Sequence, residues 1–347
     1  VQQTYEAMVL TAPMRLERER RTWRAPGPGE VCLRVLRVGV CGTDLALWSG
    51  SYVAPLPLVL GHELVGEVVA VGAGVSRVQI GQRVVPDINA TCLARGASEP
   101  CLACRSGLDR HCTERSVLGI ISHDGGFAEF CYVPAGAAHV LPVGLSEARA
   151  VFAEPAAAAW QTFAMTGSPR GSSVIVLGPG RLGALVVAAA RDAGARVAAV
   201  GRSAASLERA SRFGAHAVFA HDDLVAAKAW AGGLGADLVV ECTGSAERVG
   251  AALSLVRPRG TVAIKSTPGT APTVDLTKVV VDELRLVGSR CGDIGAALTW
   301  LAACAWPIES MVERSFSLAE SAEALRLAAG AGKLVVLPPS TTQEPAE

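Results

Sequence analysis

Three donors of different hardness stand close together between Val40 and Val75, in VCGTDLALWSGSYVAPLPLVLGHELVGEVVAVGAGV: the thiol of Cys41, the imidazole of His62 and the carboxylate of Glu63. That mixture suits zinc better than magnesium or calcium, which prefer oxygen alone. A catalytic zinc takes three protein ligands and keeps one position for water or substrate. Cys41 and His62 supply two, and Glu154 in VFAEPAAAAW is the best candidate for the third. With those three the ion is formally neutral. Adding Glu63 would make the site anionic and weaken its Lewis acidity, so Glu63 is expected to be exchangeable or to neighbour the ligands. Asp44 can take the second N–H of His62, as carboxylates commonly do beside ligating histidines, and Thr43 is placed to pass a proton. The bland alternatives are a small buried cysteine and, for Glu154, a carboxylate satisfying helix N-terminal donors before Pro155.

A second cluster lies in CLARGASEPCLACRSGLDRHC, where Cys92, Cys101, Cys104 and Cys112 take up four of the ten cysteines. Four thiolates can close a tetrahedral structural zinc, and this segment has few large apolar residues to hold it otherwise. Clustering of this kind in a reducing compartment points to metal rather than disulfides. Arg95, Arg105 and Arg110 are near enough in sequence to offset the negative charge. The competing arrangement leaves Cys92 free and completes the site with His111 or water.

The elements that must position these groups are of two kinds. From Met8 to about Val85, short runs alternate apolar and polar residues between Gly and Pro, as in VCLRVLRVGV and VGEVVAVG, which predicts a β-rich barrel. After HDGGFAEFCYVP, a returning strand, and Glu154 comes an Ala-rich helix. Then Val174–Leu177 reads as a strand buried on both faces, followed by Gly178-Pro-Gly180-Arg181-Leu182-Gly183 and a helix. Between a strand and a helix that pattern is a dinucleotide fingerprint: a tight turn, a close pyrophosphate approach and close helix packing, with phosphates at the helix N-terminus. The next strand, Val197–Val200, ends at Gly201-Arg202-Ser203, where an NAD enzyme commonly has Asp or Glu for the ribose hydroxyls. Without that carboxylate, Arg202 and Ser203 can bind a 2′-phosphate, so NADP is expected in preference to NAD. Three more strands are expected, in DLVVECTG, TVAIKST and LRLVGSR, giving a doubly wound α/β sheet.

The run Gly61-His62-Glu63, Gly66, Gly72 and Val75 resembles the zinc signature of the medium-chain dehydrogenase/reductase family, the zinc alcohol and polyol dehydrogenases, and the likeness extends from Met8 to Leu337. The resemblance implies a GroES-like catalytic domain over 1–154 with the zinc lobe at 92–112, a Rossmann domain over 155–291, and a return to the first domain over 292–347. Cys92 departs from the family's short cysteine gaps, so an insertion must loop out for it to ligate. Implied too is hydride transfer between a nicotinamide and a primary or secondary alcohol or carbonyl, with zinc lowering the alcohol pKa. Ala46 stands where many relatives carry a histidine that ends the Thr43 relay. A carboxylate at Glu154 resembles the polyol, sugar and threonine enzymes, favouring a polar substrate. Thr243, Lys265 and Arg290 would face the cofactor, Lys333 would lie near its phosphates, and relatives pair through their cofactor domains into dimers or tetramers. A non-catalytic NADP(H) sensor or a zinc-independent enone reductase has no use for Cys41, His62, Glu63 and Glu154 together.

Bulk properties agree. The 347 residues are half hydrophobic and 18% charged, with a formal net charge of zero, which allows two cores and argues against nucleic-acid or membrane-surface partners. No apolar run is long enough to span a bilayer, and VQQTYEAMVL has no signal-peptide layout, so a cytoplasmic location is expected. The tail PPSTTQEPAE is expected to fray.

Overall fold

The computed structural model describes residues 3–267, 269–330 and 332–339; most of the tail expected to fray lies outside them. The described residues form two compact units, one running through Glu154 and taking in Ile294–Ala302 and the described residues from Ile308 onward, the other Pro155–Asp293 with Ala303–Pro307. No helix among the described residues is long and apolar enough to cross a membrane.

The first unit is β-rich. Its main sheet runs in the order Ala138–Val140, Arg83–Pro86, Glu63–Val71, Glu30–Gly39, Lys333–Leu337 and Val312–Ser317, with Phe130–Pro134 also pairing Glu30–Gly39. The alternation read in VCLRVLRVGV places Val31, Leu33, Val35 and Val38 in the core. Lys333–Leu337 pairs antiparallel with Glu30–Gly39, Val335 opposite Gly39, which brings the C-terminal segment beside the metal ligands. Residues 303–307, expected in this domain, belong instead to the second unit, where the Trp306 indole donates to Asp192 (2.9 Å).

The second unit holds a six-stranded sheet in the order Ala217–Ala220, Arg196–Gly201, Ser173–Leu177, Ala236–Glu241, Val256–Ile264, Arg285–Gly288, with every pair parallel. This is the doubly wound arrangement whose order reverses at the first strand, so ligands bind at the carboxyl ends there. Ile175, Val200, Val239, Leu253 and Val262 share its core. Five of the strands were expected. Ala217–Ala220 was not: a four-residue apolar run, Ala-Val-Phe-Ala, it lies at the sheet edge and is only partly buried, set between His216 and His221.

Candidate functional site

Asp44 organises the first cluster. Cys41 caps the helix Gly42–Ser49, and Asp44, wholly buried, accepts from the Cys41 N–H (2.8 Å) and the Gly61 N–H (3.2 Å). Its Oδ1 lies 3.3 Å from Nδ1 of His62. One carboxylate therefore fixes the backbone of both ligand-bearing segments and faces one of the two ligands. Gly61 is required here: at φ +93° it takes a left-handed turn, and a Cβ would meet Phe127 and Val38 at 2.8 Å. Burial favours neutral His62, yet Asp44 and Cys41 raise its pKa well above the usual value.

One donor atom each from Cys41, His62 and Glu63 lies within 4.8 Å of the others, a span one ion can bridge. Glu63 also accepts from the ammonium of Lys333; both side chains are 2% exposed. Lys333 reaches the Val40 carbonyl (3.4 Å) and stands 5.8 Å from the Phe152 ring. Gly39 makes room, since a Cβ there would fall 2.5 Å from Glu63 Oε2. Lys333, expected near the cofactor phosphates, has its charge paired inside the first unit, where it gives the deeply buried Glu63 a counter-charge. Nothing in sequence links positions so far apart. Glu154 does not join the three donors within that span. Its carboxyl pKa is raised to about 7, mainly by burial, with Glu63 adding to the shift and His62 and Lys333 opposing it. Thr43 Oγ1 lies 3.8 Å from Cys41 Sγ.

In the second cluster Cys92, Cys101, Cys104 and Cys112 bring their sulfurs within 4.8 Å of one another, with Cys112 3.5 Å from Cys92 and 3.7 Å from Cys101. None is in a disulfide. Backbone N–H groups of Cys104 and Thr113 lower the Cys101 pKa to about 5, a thiolate ready for metal. His111 is exposed, so the eight-residue departure at Cys92 is accommodated by looping and not by substituting histidine. Arg95 donates to the Glu114 carbonyl and the Ser116 hydroxyl, both at 2.7 Å; these acceptors are neutral, so its positive charge is retained.

The dinucleotide fingerprint divides its glycines by geometry. Gly178 has φ +79°, and a Cβ on it would meet Thr243 at 2.8 Å; a Cβ on Gly183 would meet the Gly178 carbonyl at 2.2 Å; around Gly180 there is open space. Gly180 caps the helix Arg181–Asp192 with no side-chain hydrogen bond, and the N-terminus of such a helix is suited to an anion. Gly201 admits no side chain without rearrangement, since a Cβ would lie 2.8 Å from Ser206 Oγ and 2.9 Å from Leu207 Cδ2. Arg202 is exposed. Ser203 caps the next helix, its hydroxyl accepting from Ser206 N–H. Lys265 is engaged by the protein: its ammonium donates to the Ala158 carbonyl (2.6 Å), Ser289 Oγ (2.9 Å) and the Arg290 carbonyl (3.1 Å). Arg290 is exposed.

A barrel with paired metal clusters and a doubly wound unit with a glycine fingerprint define a zinc-binding dehydrogenase. The alcohol dehydrogenase GroES-like domain family matches residues 27–143 and the zinc-binding dehydrogenase family residues 182–306. Among curated proteins, sorbitol dehydrogenase of Halalkalibacterium halodurans is 31% identical over 275 residues, 76% of this chain and 77% of that one. D-arabinitol dehydrogenase 1 of Uromyces fabae is 31% identical over 308 residues, 85% and 86% of the two chains. Among solved structures, a zinc-binding dehydrogenase of Sinorhizobium meliloti bound to NADP superposes with a TM-score of 0.88 at 32% identity, covering 97% of this chain and all of that one. The chain belongs to the zinc-binding, alcohol-dehydrogenase-like medium-chain dehydrogenase/reductase family and is a zinc-dependent, NAD(P)-linked dehydrogenase.

Proposed function

We propose that the chain oxidises a polar, polyol-like secondary or primary alcohol, or reduces the matching carbonyl, with NADP preferred over NAD. The observation that carries this is the convergence of Cys41, His62 and Glu63 donors within 4.8 Å, together with relatives named for sorbitol and D-arabinitol. Cys41 and His62 hold the ion. Glu154 would complete the donor set as third ligand, and Glu63, anchored by Lys333, would be exchangeable or lie beside the ligands. When bound, zinc supplies a Lewis acid that polarises the substrate oxygen. Asp44 keeps His62 oriented, and Thr43 takes the substrate proton and hands it to water, since Ala46 offers no base. Cys92, Cys101, Cys104 and Cys112 hold the structural ion.

For NADP, support comes from the packed Gly201, which leaves no carboxylate to repel a phosphate, beside the exposed guanidinium of Arg202. A homo-oligomer is supported by the edge strand Arg285–Gly288 and the neighbouring helix Leu276–Val281, which exposes Leu276, Val280 and Val281 at 65%, 75% and 72%. Open edges of this kind are commonly covered. A panel of alcohols and polyols assayed with both nicotinamides, on protein of measured zinc content, tests the reading. Turnover of polyols with NADP and loss on chelation is the expected result; activity that survives removal of all zinc would reject it.

A further inference from the structure

Glu241 is an acidic side chain with no solvent exposure, at the carboxyl end of the strand Ala236–Glu241. That strand pairs in register with the one delivering the glycine loop, Leu177 opposite Glu241. One carboxylate oxygen accepts from both the backbone N–H (2.6 Å) and the hydroxyl of Thr243, and the other accepts from the Ser266 hydroxyl. Thr243 forms the wall against Gly178, its Cγ2, Cα and N standing 2.8, 2.9 and 3.0 Å from where a Cβ would be. The Glu241 carbonyl accepts from the Lys265 N–H (3.0 Å), and Lys265 in turn ties Ala158, Ser289 and Arg290. The segments leaving two adjacent strands are therefore joined through one buried carboxylate, at the end of the sheet where dinucleotides bind.

A carboxyl group this deeply buried is costly to desolvate, a cost that hydrogen bonds to its oxygens offset. What it provides is direction: three donors converge on two oxygens, and the peptide and side chain of Thr243 have one arrangement that satisfies them. We propose that Glu241 is a positioning residue for nicotinamide-dinucleotide binding, holding Thr243 against the turn at Gly178 and Ser266 beside it so that the phosphate-binding loop is preformed. The inference rests on the glycine loop being the cofactor site.

The test is titration of the zinc-loaded, full-length protein with NADPH and with NADH, followed by nicotinamide fluorescence. Glu241→Gln keeps the shape but turns one acceptor into a donor facing other donors. It should raise the Kd of the preferred nicotinamide about tenfold and leave zinc per chain unchanged. Thr243→Val and Ser266→Ala should each weaken binding less. Glu241→Gln added to that pair should bring less than about a twofold further loss, the non-additivity of groups that act together. Wild-type Kd in Glu241→Gln, or full additivity with the pair, overturns the proposal and leaves Glu241 a fold-stabilising residue. Should Glu241→Gln fail to fold, unchanged Kd in both Thr243→Val and Ser266→Ala overturns it equally. Failure of the wild type to bind either nicotinamide would instead remove the cofactor reading beneath it.

Discussion

Separate segments of the first unit, around Cys41, His62 and Lys333, converge on its metal centre, whereas one unbroken stretch from Ser173 to Asp192 supplies most of the dinucleotide loop. The metal centre is built from side chains whose charges are mutually dependent: Asp44 on His62, Glu63 on Lys333. The loop is built from backbone and from the absence of side chains, at Gly178, Gly180 and Gly183. The lesson is one of sensitivity. Deleting a side chain should be severe in the first unit and mild in the second, while adding a methyl group to the loop should be severe in the second.

Removing a ligand tests the steep side. His62→Ala should lower turnover by roughly a thousandfold or more, about 4 kcal/mol of transition-state stabilisation. Metal analysis should show the four-cysteine zinc retained and the other lost. Turnover within tenfold of wild type would place the metal elsewhere and dissolve the contrast.

Next in size is Lys333→Met, which strands the Glu63 carboxylate in a buried site. In metal-free protein the loss of unfolding free energy should be about 3–5 kcal/mol, and smaller once zinc is restored, because the ion takes over as counter-charge. Glu63→Gln in the same chain should recover most of it, since no charge is then left unpaired. Equal losses with and without zinc would show that Glu63 faces only Lys333. Denaturant unfolding of wild type, Lys333→Met and the double variant, each with and without zinc, gives the answer.

Gly183→Ala probes the opposite rule. A Cβ 2.2 Å from the Gly178 carbonyl forces helix and loop apart, an overpacking strain of roughly 1–3 kcal/mol, read as about a tenfold to hundredfold rise in the Kd of the nicotinamide. Zinc content should not change. A variant that binds cofactor normally would mean the loop yields, and that backbone packing there matters less than the geometry suggests.

The same division explains what could be read from the sequence. Spacing alone exposes a motif whose parts are neighbours, so the glycine loop, the strand before it and the four cysteines are legible, and so is His62 beside Glu63. Partnerships between remote segments are not. Lys333 looks like any cation near a strand, and only pairing of Lys333–Leu337 with Glu30–Gly39 delivers it to Glu63. Lys265 likewise reads as a free positive charge until its three acceptors are seen. Glu241 hides among the apolar residues of DLVVECTG, since nothing in its neighbours announces that Ser266 will lie opposite.

The smallest effect expected is the most selective. Arg202→Ala removes an exposed guanidinium that has no partner among the described residues, so fold and zinc content should be untouched. Its contribution is screened by solvent but concentrated on a dianion, giving a rise of about tenfold in the KM for NADP and no change for NAD. The charge on a phosphate monoester grows as pH rises through roughly 6, so the gap between wild type and variant should widen from acid to neutral pH, and it should narrow with added salt. A gap that appears with both nicotinamides would place Arg202 on the adenine, where shape rather than charge is read, and the dinucleotide unit would then depend on its backbone even at the ribose.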